Sequence, residues 1–195
     1  ASEDVREACG SLLETLRSAG VPIRPVDLGP RGPMLDLHAA IFGAEARAAH
    51  PAWRPGHPGY PATADRSLAA TLALARPTLS RLAAARAALA RSIDGRLAEV
   101  DLLLAPTLAG LPARAGATTV RHRGRIFDAT HFHILETMPF NVSGNPVLVT
   151  PLPPRSRSEP PPSVQWVAAV GRDEWLLALA PALARAAAGG SARPS

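Results

Sequence analysis

Three histidines, His122, His131 and His133, lie close together in the sequence, with Asp128 and Glu136 nearby. Imidazole nitrogens and carboxylate oxygens are common zinc ligands, so this cluster raises a metal site as a hypothesis. The spacing does not support it, because neither an HExxH helix nor a paired Cys/His pattern is present. We therefore predict no metal ligand in this chain and interpret the histidines as ordinary polar or packing residues.

Ser143, in the segment FNVSGNP, is the best candidate for a nucleophile. A serine hydroxyl needs a neighbouring general base before it can attack an acyl carbon. Glycine flanks Ser143 on one side only, so the GxSxG nucleophile elbow is absent. All 21 Lys and Arg positions are arginine, which leaves no lysine to act as the base. The sequence therefore predicts no catalytic residue within this chain.

The net charge of +5 and the pI near 11.0 would suit a nucleic-acid or anionic-membrane partner. The distribution argues against such partners, because the arginines are scattered along the chain and a phosphate-binding patch must be clustered. No apolar run approaches the roughly 18 residues that span a bilayer, and the first residues are acidic, unlike a secretion signal. We predict no nucleic-acid partner, no membrane partner and a cytoplasmic location.

The glycine-containing segments GPRGP and GGS lack the lysine and the strand-to-helix context of a phosphate-binding loop. The sequence therefore predicts no cofactor. Cys9 is the only cysteine, so a disulfide within the chain is excluded. It lies on the apolar face of the first helical pattern, which predicts a buried, unreactive thiol.

The elements of the amino-terminal half are set by caps, prolines and apolar spacing. A helix begins after Ser2, whose oxygen can cap it, and ends at Gly20. Residues 21–28 predict a short edge strand, because two prolines each remove a ladder donor. Residues 34–49 predict a second helix. Apolar residues recur every three or four positions over residues 68–93, which predicts a third helix. This helix is expected to kink at Pro77 and to pack on a core.

The carboxy-terminal half alternates short strands with helices, which is typical of an α/β fold. An unbroken apolar run before Pro106 and Thr107 predicts a strand buried on both faces. Its loop would lie where open α/β folds bind ligands. The predicted elements are a strand at 100–105, a hairpin around Gly124 at 119–128, a helix or turn at 134–138, strands at 147–150 and 164–170, and a helix at 173–188.

Three segments stand in a fixed order in this half: DLLLAPTLAG, ETMPFNVSGNPVLVTPLP and SVQWVAAVGRDEWLLALAPAL. Together they resemble the last third of the amidase signature family. There, an Asp-Val-Leu-Leu-x-Pro-Thr strand, a Phe-Asn-x-x-Gly-x-Pro stretch and a Gly-Val-Gln-like strand precede a leucine-rich helix. The opening segment EDVREACGSLLETLRSAGVPIRPVDL resembles the helix and strand that follow the family's catalytic core. The resemblance covers residues 2–188.

The resemblance implies an α/β fold, the carboxy-terminal part of an α/β/α architecture with a mixed central sheet. We expect one domain over residues 1–188 and a disordered tail at 189–195. The chain begins with alanine rather than methionine, which suggests that it was processed or cut from something longer.

In the family, the stretch that corresponds to FNVSGNP lines the acyl-binding pocket. Asn141 can bond the local backbone and Gly144 can adopt a positive φ, so a rigid turn is expected there. A plain strand-connecting turn is the alternative. The resemblance implies that the substrate-binding wall consists of Thr107, Thr137, Met138, Phe140, Asn141, Ser143 and Gly144.

The family cleaves amides with a serine nucleophile, a second serine that has a cis peptide bond, and a lysine base. This sequence has neither that lysine nor the Gly/Ser-rich signature. The resemblance therefore implies the carboxy-terminal region of an amidohydrolase that works through an acyl-serine intermediate. A missing amino-terminal catalytic portion would be its partner and a small-molecule amide its substrate, and we expect this chain alone to be inactive.

Two departures from the family pattern bear on the substrate. Ser163 stands where glycine is expected, and Ile134 falls near the acidic position of the amidotransferase branch. An apolar or aryl amide is therefore favoured over charged glutamine. A non-catalytic partner or binding module derived from an amidase is the alternative function, and a homodimer is compatible with the sequence.

Overall fold

The computed structural model describes residues 1–56, 58–61, 77–122 and 124–189. Helices and strands alternate along most of the chain. The elements are α1 (Glu3–Ser18), α2 (Arg31–Ala49), α3 (Pro77–Leu97), β1 (Leu103–Pro106), β2 (Thr119–His122), β3 (Arg125–Asp128), α4 (Ala129–Ile134), α5 (Met138–Ser143), β4 (Val147–Pro151), β5 (Ser163–Val167) and α6 (Asp173–Ala187).

The main sheet has the strand order β1-β5-β4 and is antiparallel at both junctions. The central strand β5 pairs Gln165 with Ala105 on one side and with Val149 on the other. Because successive side chains alternate between faces, Gln165 and Val167 share one face of the sheet and Trp166 lies on the other. The α/β class is confirmed. Among the described strands of this sheet only antiparallel pairing occurs, whereas a mixed sheet was expected for the whole fold.

One face of the sheet packs against α1 and α6. Trp166 is 3% exposed and belongs to a core cluster that also contains Leu12 of α1 and Leu176 of α6. Its indole Nε1 donates a hydrogen bond to Thr150 Oγ1 at 2.9 Å, which satisfies both buried polar groups.

The opposite face packs against α3 and α5. Val167 is fully buried there, in a cluster with Leu103 of β1, Ile93 of α3 and Phe140 of α5. Helix α2 lies outside this layer and contacts both α3 and α5. The sheet is therefore enclosed between two helical layers, as an α/β/α architecture requires.

Several local predictions are confirmed. The Ser2 side chain accepts a hydrogen bond from the Val5 amide at the start of α1, and Gly20 adopts a φ of 80° beyond its end. Strands β2 and β3 form the expected hairpin, with Gly124 at a φ of 75°. Such positive φ values favour glycine because it has no Cβ.

The strand predicted at 21–28 is wrong, because these residues form no strand in the structure. Pro22 and Pro25 have no backbone N–H to donate to a ladder. The segment instead packs Val26 and Leu28 against the core cluster around Val167. Burial of these side chains does not require sheet pairing.

Other boundaries shift by a few residues. Helix α2 begins at Arg31, and β1 begins at Leu103, after the exposed Asp101. Strand β5 ends at Val167, and Val170, predicted to be in a buried strand, is 60% exposed. The predicted kink before Pro77 and most of the tail, residues 68–76 and 190–195, lie outside the described residues.

No helix in the described part of the chain is both long and apolar enough to cross a bilayer.

Native Cys9 is expected to react slowly with alkylating reagents. It packs against the core cluster around Trp166, and burial raises the pKa of its thiol to about 11 from an ordinary 9.0. Only the thiolate is nucleophilic, so alkylation at pH 8 should be roughly 100-fold slower in the native chain than in urea. The native rate should keep climbing from pH 9 to pH 11, where the unfolded rate levels off. Equal rates in the two states at pH 8 would contradict this prediction.

Candidate functional site

Gln165 joins the elements that surround the predicted pocket. Its side chain is 1% exposed, and its Nε2 donates hydrogen bonds to the backbone oxygens of Pro106, at 3.0 Å, and Glu136, at 2.7 Å. Pro106 ends β1, and Glu136 lies two residues before α5. One buried amide therefore fixes the end of β1 against the start of the predicted wall.

Thr107 follows directly on β1 and is held at the same junction. Its amide donates to Ser163 O at 2.9 Å, which extends the pairing of β1 with β5 by one residue. Its Oγ1 is buried and has no hydrogen-bond partner among the described residues. A buried hydroxyl without a partner costs about 1–3 kcal/mol, so such groups are rare in folded proteins.

The predicted wall residues of α5 separate into buried and accessible positions. Met138 is 0% exposed and Phe140 is 2% exposed, so both side chains belong to the interior. Thr137 is half-buried, and its backbone oxygen accepts from the amides of Phe140 and Asn141. Asn141 is exposed. The surface that a ligand could touch therefore involves Thr137 and Asn141, with Met138 and Phe140 packed behind them.

The turn after α5 has the expected glycine geometry. Gly144 adopts a φ of 83° and its amide donates to Phe140 O at 2.8 Å, which ends the helix. Ser143 Oγ lies 2.5 Å from Asn145 Oδ1 and 3.3 Å from Phe140 O, so its proton is engaged within the turn. This arrangement suits a helix cap better than a nucleophile.

Asn145 was missed as the residue that ties this turn to the sheet. Asn141 was expected to bond the local backbone, but the buried amide in the structure is Asn145, whose Nδ2 donates to Ala168 O at 3.0 Å. The sequence signal was the Asn-Pro pair, which is typical of a turn entering a strand.

Two arginines hold the wall from outside, and both were missed. Arg31, at the start of α2, forms a half-buried ion pair with Glu136 at 3.2 Å. Arg86 of α3 donates from Nε to Val142 O at 2.9 Å and from Nη1 to Glu45 at 2.7 Å. In the sequence, Arg86 interrupts the apolar spacing of residues 68–93. That interruption was the available signal for a contact with another helix.

The histidines serve packing and backbone contacts. His133 Nε2 accepts from the Ala113 amide at 3.1 Å, and the rings of His122 and Phe132 lie 5.2 Å apart. Burial, together with the neighbouring His131, lowers the pKa of His38. Within the described residues no three His, Cys, Asp or Glu side chains converge to hold a metal ion.

A cavity of about 210 Å³ lies between α1 and the proline-rich loop that joins β4 to β5. None of the predicted wall residues lines it. Arg155 in this loop forms ion pairs with Asp4 and, at 2.9 Å, with Glu7. The guanidinium of Arg155 is thus engaged by carboxylates of α1, and we assign the cavity to packing of the loop on α1 rather than to the amide site.

Comparisons with known proteins identify the family and the fold. The sequence profile described as Amidase matches residues 1–177. A comparison with curated proteins found no match.

Solved structures of several amidases share the fold. One structure, described as that of an amidase, is 29% identical in sequence, with a TM-score of 0.78. The match covers 90% of this chain and 40% of the amidase chain. A second structure, described as a vestigial protein complex that reveals the evolutionary origins of an s-triazine catabolic enzyme, is 18% identical, with a TM-score of 0.76. That match covers 91% of this chain and 38% of the other. A bacterial aryl acylamidase of the amidase signature family is 20% identical, with a TM-score of 0.71, over 98% and 40%.

The chain spans only about 40% of the length of these structures, although they cover nearly all of it. The profile match extends over most of the 195 residues and includes β1, α5, β4 and β5, which form the site. This chain therefore belongs to the amidase family.

Proposed function

We propose that this chain is the carboxy-terminal region of an amide hydrolase and supplies part of its acyl-binding wall. The observation that carries the proposal is the buried Thr107 hydroxyl, which has no partner in the described residues. It lies at the junction that Gln165 fixes. A hydroxyl held in this way can bond a substrate amide without losing an internal hydrogen bond.

The chemistry in the whole enzyme would be acyl transfer to water through an acyl-serine intermediate. An amino-terminal catalytic portion would supply the nucleophile, the lysine base and the oxyanion donors. The absence of lysine from the sequence and the engagement of Ser143 within its turn support this division of roles. The partial coverage of the matching structures agrees with it.

An apolar or aryl amide is the substrate class that fits best. Ile134 falls near the position at which the family's amidotransferase branch carries an acidic residue. Next to the wall, Arg31 and Glu136 neutralise each other in an ion pair. A charged substrate group would have to break that pair, whereas an aromatic acyl group would not. One matching structure is described as an aryl acylamidase.

A chimeric enzyme tests this function. The region of the 29% identical amidase that this chain matches would be replaced by residues 1–188, and hydrolysis of aryl and aliphatic amides would be measured. We expect turnover by the chimera and none by the 195-residue chain. In the chimera, Thr107→Val should lower kcat/KM roughly threefold to tenfold through loss of one hydrogen bond, and Thr107→Ser should retain it.

Turnover by the isolated, folded chain would refute the division of roles. An unchanged kcat/KM in Thr107→Val would remove Thr107 from the wall. Circular dichroism of each variant serves as the control for folding.

A further inference from the structure

The loop that joins β4 to β5 presents a serine at the tip of a turn. The sequence of residues 155–160 is Arg-Ser-Arg-Ser-Glu-Pro, and all of these residues are exposed. The amide of Glu159 donates to Ser156 O at 3.3 Å and closes a turn whose central residues are Arg157 and Ser158. A hydrogen bond of 3.0 Å joins the hydroxyl groups of the two serines. Ser158 is therefore accessible to a modifying enzyme without unfolding of a helix or strand.

Two arginines lie on the amino-terminal side of this serine. Arg155 is three residues before Ser158, and Arg157 is directly before it. Serine kinases select their substrates partly by charge, and an acidic substrate groove favours arginine at such positions. Arg155 pairs with Asp4 and, at 2.9 Å, with Glu7 of α1. These ion pairs are at the surface, where such pairs are weak, so the loop can give up Arg155 to a kinase.

Negative charge exceeds positive charge where the loop meets α1. The cavity under the loop is lined by the carboxylates of Asp4, Glu7 and Glu159, and Arg155 is the one basic residue among its described lining residues. The carboxylates of Glu7, Asp4 and Glu159 raise the pKa of Arg155. The charged contact between loop and helix therefore depends on a single guanidinium. A phosphate on Ser158 would add a charge of about −1.5 to −2, which would attract this guanidinium and repel the carboxylates.

We propose that Ser158 is a phosphorylation site for an arginine-directed serine kinase, and that its phosphate releases the loop from α1. Ser158 Oγ attacks the γ-phosphorus of a nucleoside triphosphate, and the Oγ–P bond forms as the bond from this phosphorus to the β–γ bridging oxygen breaks. A nucleoside diphosphate leaves, and the hydroxyl proton passes to a base of the kinase. The phosphate then pairs with Arg155 in place of Asp4 and Glu7. This inference goes beyond the proposed function and does not depend on it.

The first test measures phosphorylation of the 195-residue chain by ATP and a calmodulin-dependent serine kinase that selects arginine three residues before its acceptor. Mass spectrometry of the digested chain should place the phosphate on Ser158. Labelling should fall roughly tenfold in Arg155→Gln, because one guanidinium contact with the kinase is lost. Labelling should be abolished at this position in Ser158→Ala and should persist in Ser156→Ala.

Arg17→Gln is the control for the loss of an arginine, since Arg17 forms a similarly exposed ion pair with Glu14, at 2.7 Å, elsewhere on α1. Labelling of this variant should equal that of the unaltered chain. Absence of phosphate from Ser158, or equal labelling of Arg155→Gln and the unaltered chain, would overturn the proposal.

The second test measures release of the loop with a nitroxide attached at Ser11→Cys. Ser11 lines the cavity under the loop, and Cys9 packs against the core and should react slowly with the label. Phosphorylation of Ser158 should shorten the rotational correlation time of the nitroxide roughly twofold, because the loop no longer covers it. Arg155→Gln should have the same effect without phosphate, and a phosphatase should restore the original spectrum of the phosphorylated chain. An unchanged spectrum after phosphorylation would contradict release of the loop.

Discussion

Replacing Trp166 with alanine is expected to lower the free energy of unfolding by about 3–5 kcal/mol. The indole is 3% exposed on the central strand, in contact with the helical layer of α1 and α6. Its removal would leave a cavity that packed helices cannot fully close, and Thr150 Oγ1 would lose its hydrogen bond from the indole. Urea unfolding followed by circular dichroism gives the free energy.

Leu177→Ala is the control for this measurement, because Leu177 is 65% exposed and should change the free energy by less than about 0.5 kcal/mol. A loss below about 1 kcal/mol in Trp166→Ala would mean that α1 and α6 do not pack on β5 as described.

Replacing Gln165 with leucine is expected to cost about 2–5 kcal/mol, although leucine has a similar size and greater hydrophobicity. The variant would leave the partly buried backbone oxygens of Pro106 and Glu136 without the donor they share. Each unsatisfied group costs about 1–3 kcal/mol. Urea unfolding measures the loss. In the chimeric enzyme the same variant should also lower kcat/KM, because both sides of the candidate wall depend on this amide.

Asn141→Leu is the matched control, since it removes an amide that is exposed rather than buried. It should change the free energy by less than about 0.5 kcal/mol. A Gln165→Leu variant as stable as the original chain would show that the two carbonyls find other donors.

Together these two predictions separate the roles of the two faces of β5. Trp166 fills the space between the sheet and the helices α1 and α6. Gln165 donates hydrogen bonds to the backbone oxygens at the ends of two segments. Adjacent residues of one strand point to opposite faces, so the same five-residue strand serves both the core and the candidate site.

Features that depend on a few neighbouring residues could be predicted from the sequence. The cap at Ser2, the hairpin around Gly124 and the positive φ of Gly144 were expected and are present. Each follows from the chemistry of one side chain, or from the lack of one, within a single turn. The ordered segments around FNVSGNP also identified the family, which the profile match confirms.

Features that depend on distant partners could not be predicted. Residues 21–28 have the composition of an edge strand but form none, because the adjacent core accepts their side chains without pairing. Gln165 looked like one residue of a family pattern, and nothing in its neighbours indicated bonds to Pro106 and Glu136. Arg86 interrupts the apolar spacing of α3 because it bonds to residues of two other helices, Val142 of α5 and Glu45 of α2.

The amino-acid sequence by itself determined the family of this protein, its α/β class and most of its helices and turns. Only the tertiary structure decided which face of β5 forms the core with α1 and α6, which amide holds the candidate wall and which helix the loop between β4 and β5 contacts. The physical reason is the distance along the chain over which each interaction acts. Capping, turn geometry and apolar periodicity act within about four residues of the chain. Burial, buried hydrogen bonds and strand pairing depend on residues that folding brings together from far apart in the sequence.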